Sequence, residues 1–261
     1  MMLCGGSIFA RSWGAPTGST VLCWHGAGGS SADYAGIGPD LADRLGVGVV
    51  AIDAPGHGQS ASRATEDFRP SALAMLAAEI LDELNVARAA FLGFSWGATV
   101  GCWFAALNSE RTLALVLVEG GHLDFADLPD FRSDRTLDEL VAEAEALATE
   151  EGADFGSHTP AVAGAMIFGL YREPATDSYE RLAASGIPVL FLGRPADEPL
   201  ERLSRLVPQT EFVQLDTSSH ESLRDAQSEV VREVGDWLAE LPLTSPASGG
   251  RRCRRLRSRH L

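Results

Sequence analysis

The sequence predicts an α/β fold: one doubly wound, mostly parallel sheet with helices on both faces and a helical cap inserted late in the chain. Three observations carry this. Short, uniformly apolar runs recur along the chain, and helical patterns separate them. The 45% hydrophobic content over 261 residues is also enough for one sizeable core and too little for two typical catalytic domains.

The strand-like runs are Thr20–Trp24, Val47–Ile52, Ala89–Gly93, Leu113–Val118, Val189–Leu192 and Glu211–Leu215. Several are too short and too evenly apolar for a surface element, which is how parallel strands buried on both faces read. Helical patterns fall at Gly38–Leu45, Pro70–Leu84, Ala98–Leu107, Glu198–Leu206 and Glu221–Leu241. The alternation breaks between Gly120 and Gly186, a stretch too long for a bare loop. It holds two helix candidates, Leu137–Thr149 and Pro160–Tyr171, and is read as a cap over the sheet's carboxyl edge, where open α/β sheets bind ligands. The expected organisation is a core of residues 1–120 and 187–241, a helical cap of residues 121–186 and a disordered, Arg-rich tail of residues 242–261.

The formal charge of −15 understates the acidity of the body, because six of the 21 basic residues sit in the last eleven positions. Residues 1–250 carry 15 basic against 36 acidic residues, a net of −21. Such a body repels phosphate backbones and anionic lipid surfaces, so nucleic-acid and membrane partners are not expected. A neutral or cationic small molecule is easier to admit. The four cysteines lack metal-ligand spacing, and Cys23 and Cys102 lie in apolar segments where Cys packs as a small hydrophobe. The N-terminal residues lack a signal peptide's apolar core and no stretch is long enough to span a bilayer, so a cytoplasmic location is expected. No cofactor or metal is expected.

The chemistry centres on Gly93-Phe94-Ser95-Trp96-Gly97, which directly follows a strand and directly precedes a helix. A sharp strand-to-helix turn strains its central residue and needs small flanking residues where backbone approaches closely, and Gly93 and Gly97 supply them. The turn lifts the Ser95 hydroxyl above the sheet edge, where the opening helix aims backbone N–H groups at the same point. A serine hydroxyl needs a base, and the base needs an acid to hold its tautomer. His220 stands in a short loop between the last strand and the last helix, over the same edge. Two carboxylates end strands there: Asp197 is the first choice for the acid and Glu119 the alternative. The glycine-rich loop His25-Gly26-Ala27-Gly28-Gly29 leaves the first parallel strand on this edge. The backbone N–H groups of Ala27 and Trp96 are the expected oxyanion donors. Without a GxxxxGK[ST], a GxGxxG or any Lys, that loop does not read as a phosphate cradle.

Together these segments resemble the α/β-hydrolase superfamily over residues 7 to 241. His25-Gly26 is similar to its oxyanion-loop motif, and Asp53-Ala54-Pro55-Gly56-His57-Gly58-Gln59-Ser60 to its DxPGxGxS turn. That turn is structural in the family, so the resemblance implies that Asp53 and His57 are not triad members. It also places the cap after the sixth strand and the triad in the order serine, acid, histidine. Pro188 to Asp197 is similar to the family's PxLxxxGxxD segment, with Arg194 where Gly is usual. The short N-terminus departs from the family by lacking its first antiparallel strand. Ser95 excludes the dehalogenases and epoxide hydrolases of the superfamily, which use Asp at that position.

The expectation is a serine hydrolase that cleaves a small or medium carboxylic ester through an acyl-enzyme. The same fold and triad also serve perhydrolases, lactonases, aminopeptidases and carbon-carbon bond hydrolases, and a non-catalytic hydrolase-like binding protein is the alternative from outside enzymology.

Overall fold

The computed structural model describes every residue except 16–18, 62–66, 123–133, 195–197, 218 and 244–261. Eight strands form one sheet: β1 (Met2–Leu3), β2 (Ile8–Trp13), β3 (Ser19–Trp24), β4 (Gly48–Ile52), β5 (Arg88–Phe94), β6 (Thr112–Val118), β7 (Val189–Gly193) and β8 (Thr210–Gln214). They lie in the order β1-β2-β4-β3-β5-β6-β7-β8. All pairs from β4 to β8 are parallel, while β2 runs antiparallel to β4 and β1 antiparallel to β2.

An antiparallel start to the sheet is therefore present, contrary to the reading of a missing first strand. Its signal is weak because β2, which lies between β1 and β4, differs in character from the central runs. Ile8 and Ala10 are buried while Phe9 and Arg11 are only half-buried, so β2 alternates where the parallel strands are apolar throughout.

The parallel strands bury alternate residues in two separate cores. Leu22, Trp24, Val50, Ile52, Phe91, Val189 and Phe191 face one core, and Val21, Cys23, Val49, Ala51, Leu92, Leu190 and Leu192 face the other. Helices α2 (Pro70–Glu83) and α3 (Trp96–Leu107) cover the first, together with α6 (Tyr179–Ser185) and α7 (Glu198–Leu206). On the opposite face lie α1 (Gly38–Leu45) and α9 (Gln227–Ala239). Burial on both faces is what favours strands without a polar side. The last helical pattern is divided: α8 (Ser222–Asp225) is separated from α9 by Ala226, whose φ of −126° and ψ of 32° lie outside the helical region. The apolar spacing of Leu223, Val230, Val234 and Leu238 runs through this break, which is why the pattern alone reads as one helix.

Between β6 and β7 stand α4 (Leu137–Glu150) and α5 (Pro160–Arg172). Thr136 and Glu139 form a capping box on α4, and Thr159 caps α5 ahead of Pro160 at its first turn. A Cβ on Gly164 of α5 would lie 2.7 Å from the backbone of Val141, so the two helices meet at close range because that residue is Gly. On its other side α5 joins the first core through Val162, Met166 and Leu170. Among the described residues no helix is long and apolar enough to cross a membrane.

Candidate active site

Ser95 ends the run from β5 into α3, with φ 51° and ψ −116°. A non-glycine residue held at positive φ costs about 1–3 kcal/mol, so the surrounding contacts must enforce it. They do so from three sides. The Ser95 N–H donates to Val118 O at 2.9 Å, and Ser95 O accepts from Ala98 N–H at 3.0 Å. A Cβ on Gly93 would overlap the backbone of Gly97 and Ala98, one on Gly97 would overlap the carbonyls of Trp24 and His25, and one on Gly26 would come within 2.9 Å of the Phe94 ring. The third side is Gly120, whose added Cβ would collide with the carbonyl and Cα of Ser95. Sequence reasoning missed Gly120. Its signal is the pair Gly120-Gly121 at the end of a strand, where bulk would be expected if nothing approached.

The Ser95 Oγ lies 2.9 Å from His220 Nε2. On the far side of the ring, His220 Nδ1 faces Glu119 Oε2 at 3.7 Å. Glu119 follows β6 with φ 52°, its N–H bonded to Leu192 O at 2.9 Å, and its side chain is 2% exposed. Burial by itself would raise this carboxyl, but the facing His220 ring and the hydrogen bonds and charge of Arg194 outweigh it and hold Glu119 below its ordinary value. The Arg194 backbone N–H donates to Oε1 at 2.8 Å and its Nε to Oε2 at 3.0 Å. The Phe94 ring packs against the His220 imidazole with centroids 5.3 Å apart. The structure thus brings Ser95, His220 and Glu119 together. Asp197, the first choice for the acid, lies outside the described residues.

Trp96 is the first residue of α3, so its N–H is one of the helix's four unsatisfied donors. Ala27 is exposed at the tip of the loop after β3, and its N–H donates to no described group. Both donors expected from the sequence are therefore uncommitted at the edge that carries Ser95.

Beneath them, His25 is fully buried and braces the loop: its Nε2 accepts the Ala54 N–H at 2.9 Å, so Nδ1 carries the proton given to Gly26 O at 2.7 Å. Burial pushes His25 down to about 4 against the opposing pull of the Gly26 bond and Asp53. His57 stacks on Trp96 at 5.5 Å and packs against His25 at 4.9 Å and His158 at 4.6 Å. Burial, reinforced by His25, pushes His57 down to about 3, and burial also lowers His158. Asp53 is structural, as the resemblance implies: its two carboxylate oxygens accept the N–H groups of Ser31 and Gln59, each at 2.7 Å.

His158 belongs to the excursion between β6 and β7, and its role was not legible in the sequence. His57 and His158 form an isolated antiparallel bridge. Next to it, Ser157 N–H donates to Gly28 O at 2.9 Å, Gly58 N–H donates to Ser157 O at 3.0 Å, and Ser157 Oγ bonds Gly29 O. The excursion is thus stitched to both glycine-rich segments beside the nucleophile. Among the described residues no group of three or more His, Cys, Asp or Glu could hold a metal ion. Cys23 and Cys102 are buried, and burial raises the Cys23 thiol far above its usual range.

A strand-to-helix serine facing a histidine at one edge of a mostly parallel sheet is the arrangement of an α/β hydrolase. Residues 19–152 match the model of the alpha/beta hydrolase fold family, and the chain belongs to that family. It is 31% identical over 121 residues to a 2-succinyl-6-hydroxy-2,4-cyclohexadiene-1-carboxylate synthase of Pectobacterium atrosepticum, covering 46% of each chain. It is 30% identical over 204 residues to the dihydrolipoyllysine-residue acetyltransferase component of an acetoin cleaving system of Cupriavidus necator, covering 75% of this chain and 50% of that one. The chain thus spans about half the length of these curated relatives. Among solved structures it is similar to one from a study of carboxylesterases of the thaumarchaeon Nitrososphaera gargenis. The TM-score is 0.73 at 18% identity, over 89% of this chain and 94% of that one, a likeness of fold.

Proposed function

We propose that the protein is a serine hydrolase that cleaves a carboxylic ester through an acyl-enzyme on Ser95, with His220 as base and Glu119 as the acid behind it. The observation that carries this reading is the 2.9 Å approach of His220 Nε2 to Ser95 Oγ, with Glu119 facing the other ring nitrogen. A nucleophile, its base and the base's orienting group in one line is the arrangement acyl transfer requires.

In this reading His220 takes the Ser95 proton as Oγ attacks the substrate carbonyl, and the new oxyanion is held by the N–H groups of Ala27 and Trp96. Glu119 keeps Nδ1 protonated and stabilises the imidazolium that forms. His220 then hands its proton to the leaving alcohol, and water repeats the sequence to release the acid. The 3.7 Å gap between Nδ1 and Oε2 is longer than a hydrogen bond and within ion-pair reach, and such contacts tighten once the imidazole becomes charged.

The excursion joined to the oxyanion loop acts as the cap, and the acidic body favours an uncharged acyl group of small or medium size. The test is hydrolysis of p-nitrophenyl acetate and butyrate together with labelling of Ser95 by a fluorophosphonate. Turnover and labelling that both disappear in Ser95→Ala are expected. Turnover that persists in the Ser95→Ala protein would overturn the assignment.

A further inference from the structure

Glu119 is met by one residue twice. Arg194 gives its backbone N–H to Oε1 and its Nε to Oε2, the same oxygen that faces His220 Nδ1. The partners differ sharply in environment: the Glu119 side chain is 2% exposed and that of Arg194 46%. Among the described residues, the charged groups acting on this carboxylate are Arg194 and His220. From this geometry we propose that Arg194 is a positioning residue of the Ser95, His220 and Glu119 relay, fixing the plane in which the Glu119 carboxylate faces the imidazole.

The proposal rests on the triad reading above and adds a residue to it. A terminal carboxylate turns about its last bond in a broad, two-fold well, so its plane is set by the donors it meets. Two donors from a single residue, one on each oxygen, hold that plane more firmly than either would alone. The Nε contact is made on Oε2, so it holds in place the oxygen that faces His220 Nδ1. Because the backbone N–H bond survives substitution, replacing the Arg194 side chain removes the charge and one contact without leaving the buried carboxylate bare.

The experiment is the concentration dependence of fluorophosphonate labelling of Ser95 in the full chain at one pH, for wild type, Arg194→Gln and Arg194→Lys, which separates the maximal labelling rate from the affinity for the probe. Near-UV circular dichroism confirms that each protein is folded. This readout needs an activated serine and no knowledge of the natural substrate. Arg194→Gln is expected to lower the maximal labelling rate about 10-fold through loss of orientation while the affinity for the probe is unchanged. Arg194→Lys, which keeps the charge but cannot reproduce the Nε contact, is expected to leave that rate depressed. A labelled wild type with an unchanged maximal rate in Arg194→Gln overturns the role of Arg194 alone. A rate restored in full by Arg194→Lys overturns the assignment to the Nε contact. A wild type that is not labelled at all overturns the triad reading, and this inference with it.

Discussion

Ser95 Oγ and His220 Nε2 stand 2.9 Å apart although 125 residues separate them in the chain. The contact exists because both residues leave strands at the same edge of the sheet, Ser95 after β5 and His220 after β8, three positions away in sheet order. An edge that gathers loops from several strands is where open α/β sheets assemble sites.

The backbone strain at Ser95 gives a prediction independent of any substrate. Ser95→Ala and Ser95→Gly should both be inactive, but only glycine tolerates φ 51° without cost. Thermal unfolding should therefore place Ser95→Gly above Ser95→Ala by about 1 kcal/mol, the strain relieved less the entropy glycine adds to the unfolded chain. Equal melting temperatures would show that the turn is unstrained.

The identity of the acid is tested by two isosteric changes. Glu119→Gln keeps the shape but offers an amide that cannot stabilise the imidazolium, and should lower kcat about 1,000-fold with little change in KM. Asp197→Asn should remain close to wild type. The reverse pattern in steady-state kinetics would restore Asp197 as the acid.

Gly120→Ala is expected to destabilise the protein by about 3 kcal/mol, because its Cβ meets backbone atoms of Ser95 that have no room to move. Urea denaturation measures the loss. Activity should fall in the same variant, since the collision lies on the nucleophile itself.

The buried histidines predict acid lability. His25 and His57 are held neutral in the fold at values near 4 and 3, below the unfolded value of 6.5. A group depressed in this way contributes stability that is complete above about pH 6.5 and is lost as pH falls through the folded values. Between pH 6.5 and 4 the unfolded chain binds more protons, so stability should fall by about 1.4 kcal/mol per pH unit for each histidine that charges on unfolding. Chemical denaturation from pH 8 to pH 4 should show this slope, and His57→Phe should flatten it. A flat profile over that range would remove the cluster as its cause.

The parts of the protein legible in sequence are those whose signal is local. The elbow at Ser95 was readable because two glycines, a strand and a helix sit within a few residues of it. The parallel strands were readable because burial on both faces leaves them no polar side. β2 is not legible for the complementary reason: with Arg11 and Ser12 inside six residues, it alternates as a strand covered on one face does. What sequence did not reveal are relationships made by the sheet rather than by neighbours in the chain. Gly120 matters only because β6 lies beside β5, and Arg194 meets Glu119 only because β7 lies beside β6. Arg194, which in sequence is a departure from the family's glycine, holds the Glu119 carboxylate.

The seam at Ser157 bears on how such a protein can change. The strip from 155 to 158 is shared property: its main chain closes over Gly28, Gly29 and Gly58 beside Ser95, so a change there would also be felt at that edge. Helix α4, which packs chiefly on α5, carries no such obligation. On the proposed reading, substitutions that retune the substrate are therefore better tolerated in α4 than in the inner strip, and an exchange of this excursion between relatives should be spliced on the α4 side of residue 155.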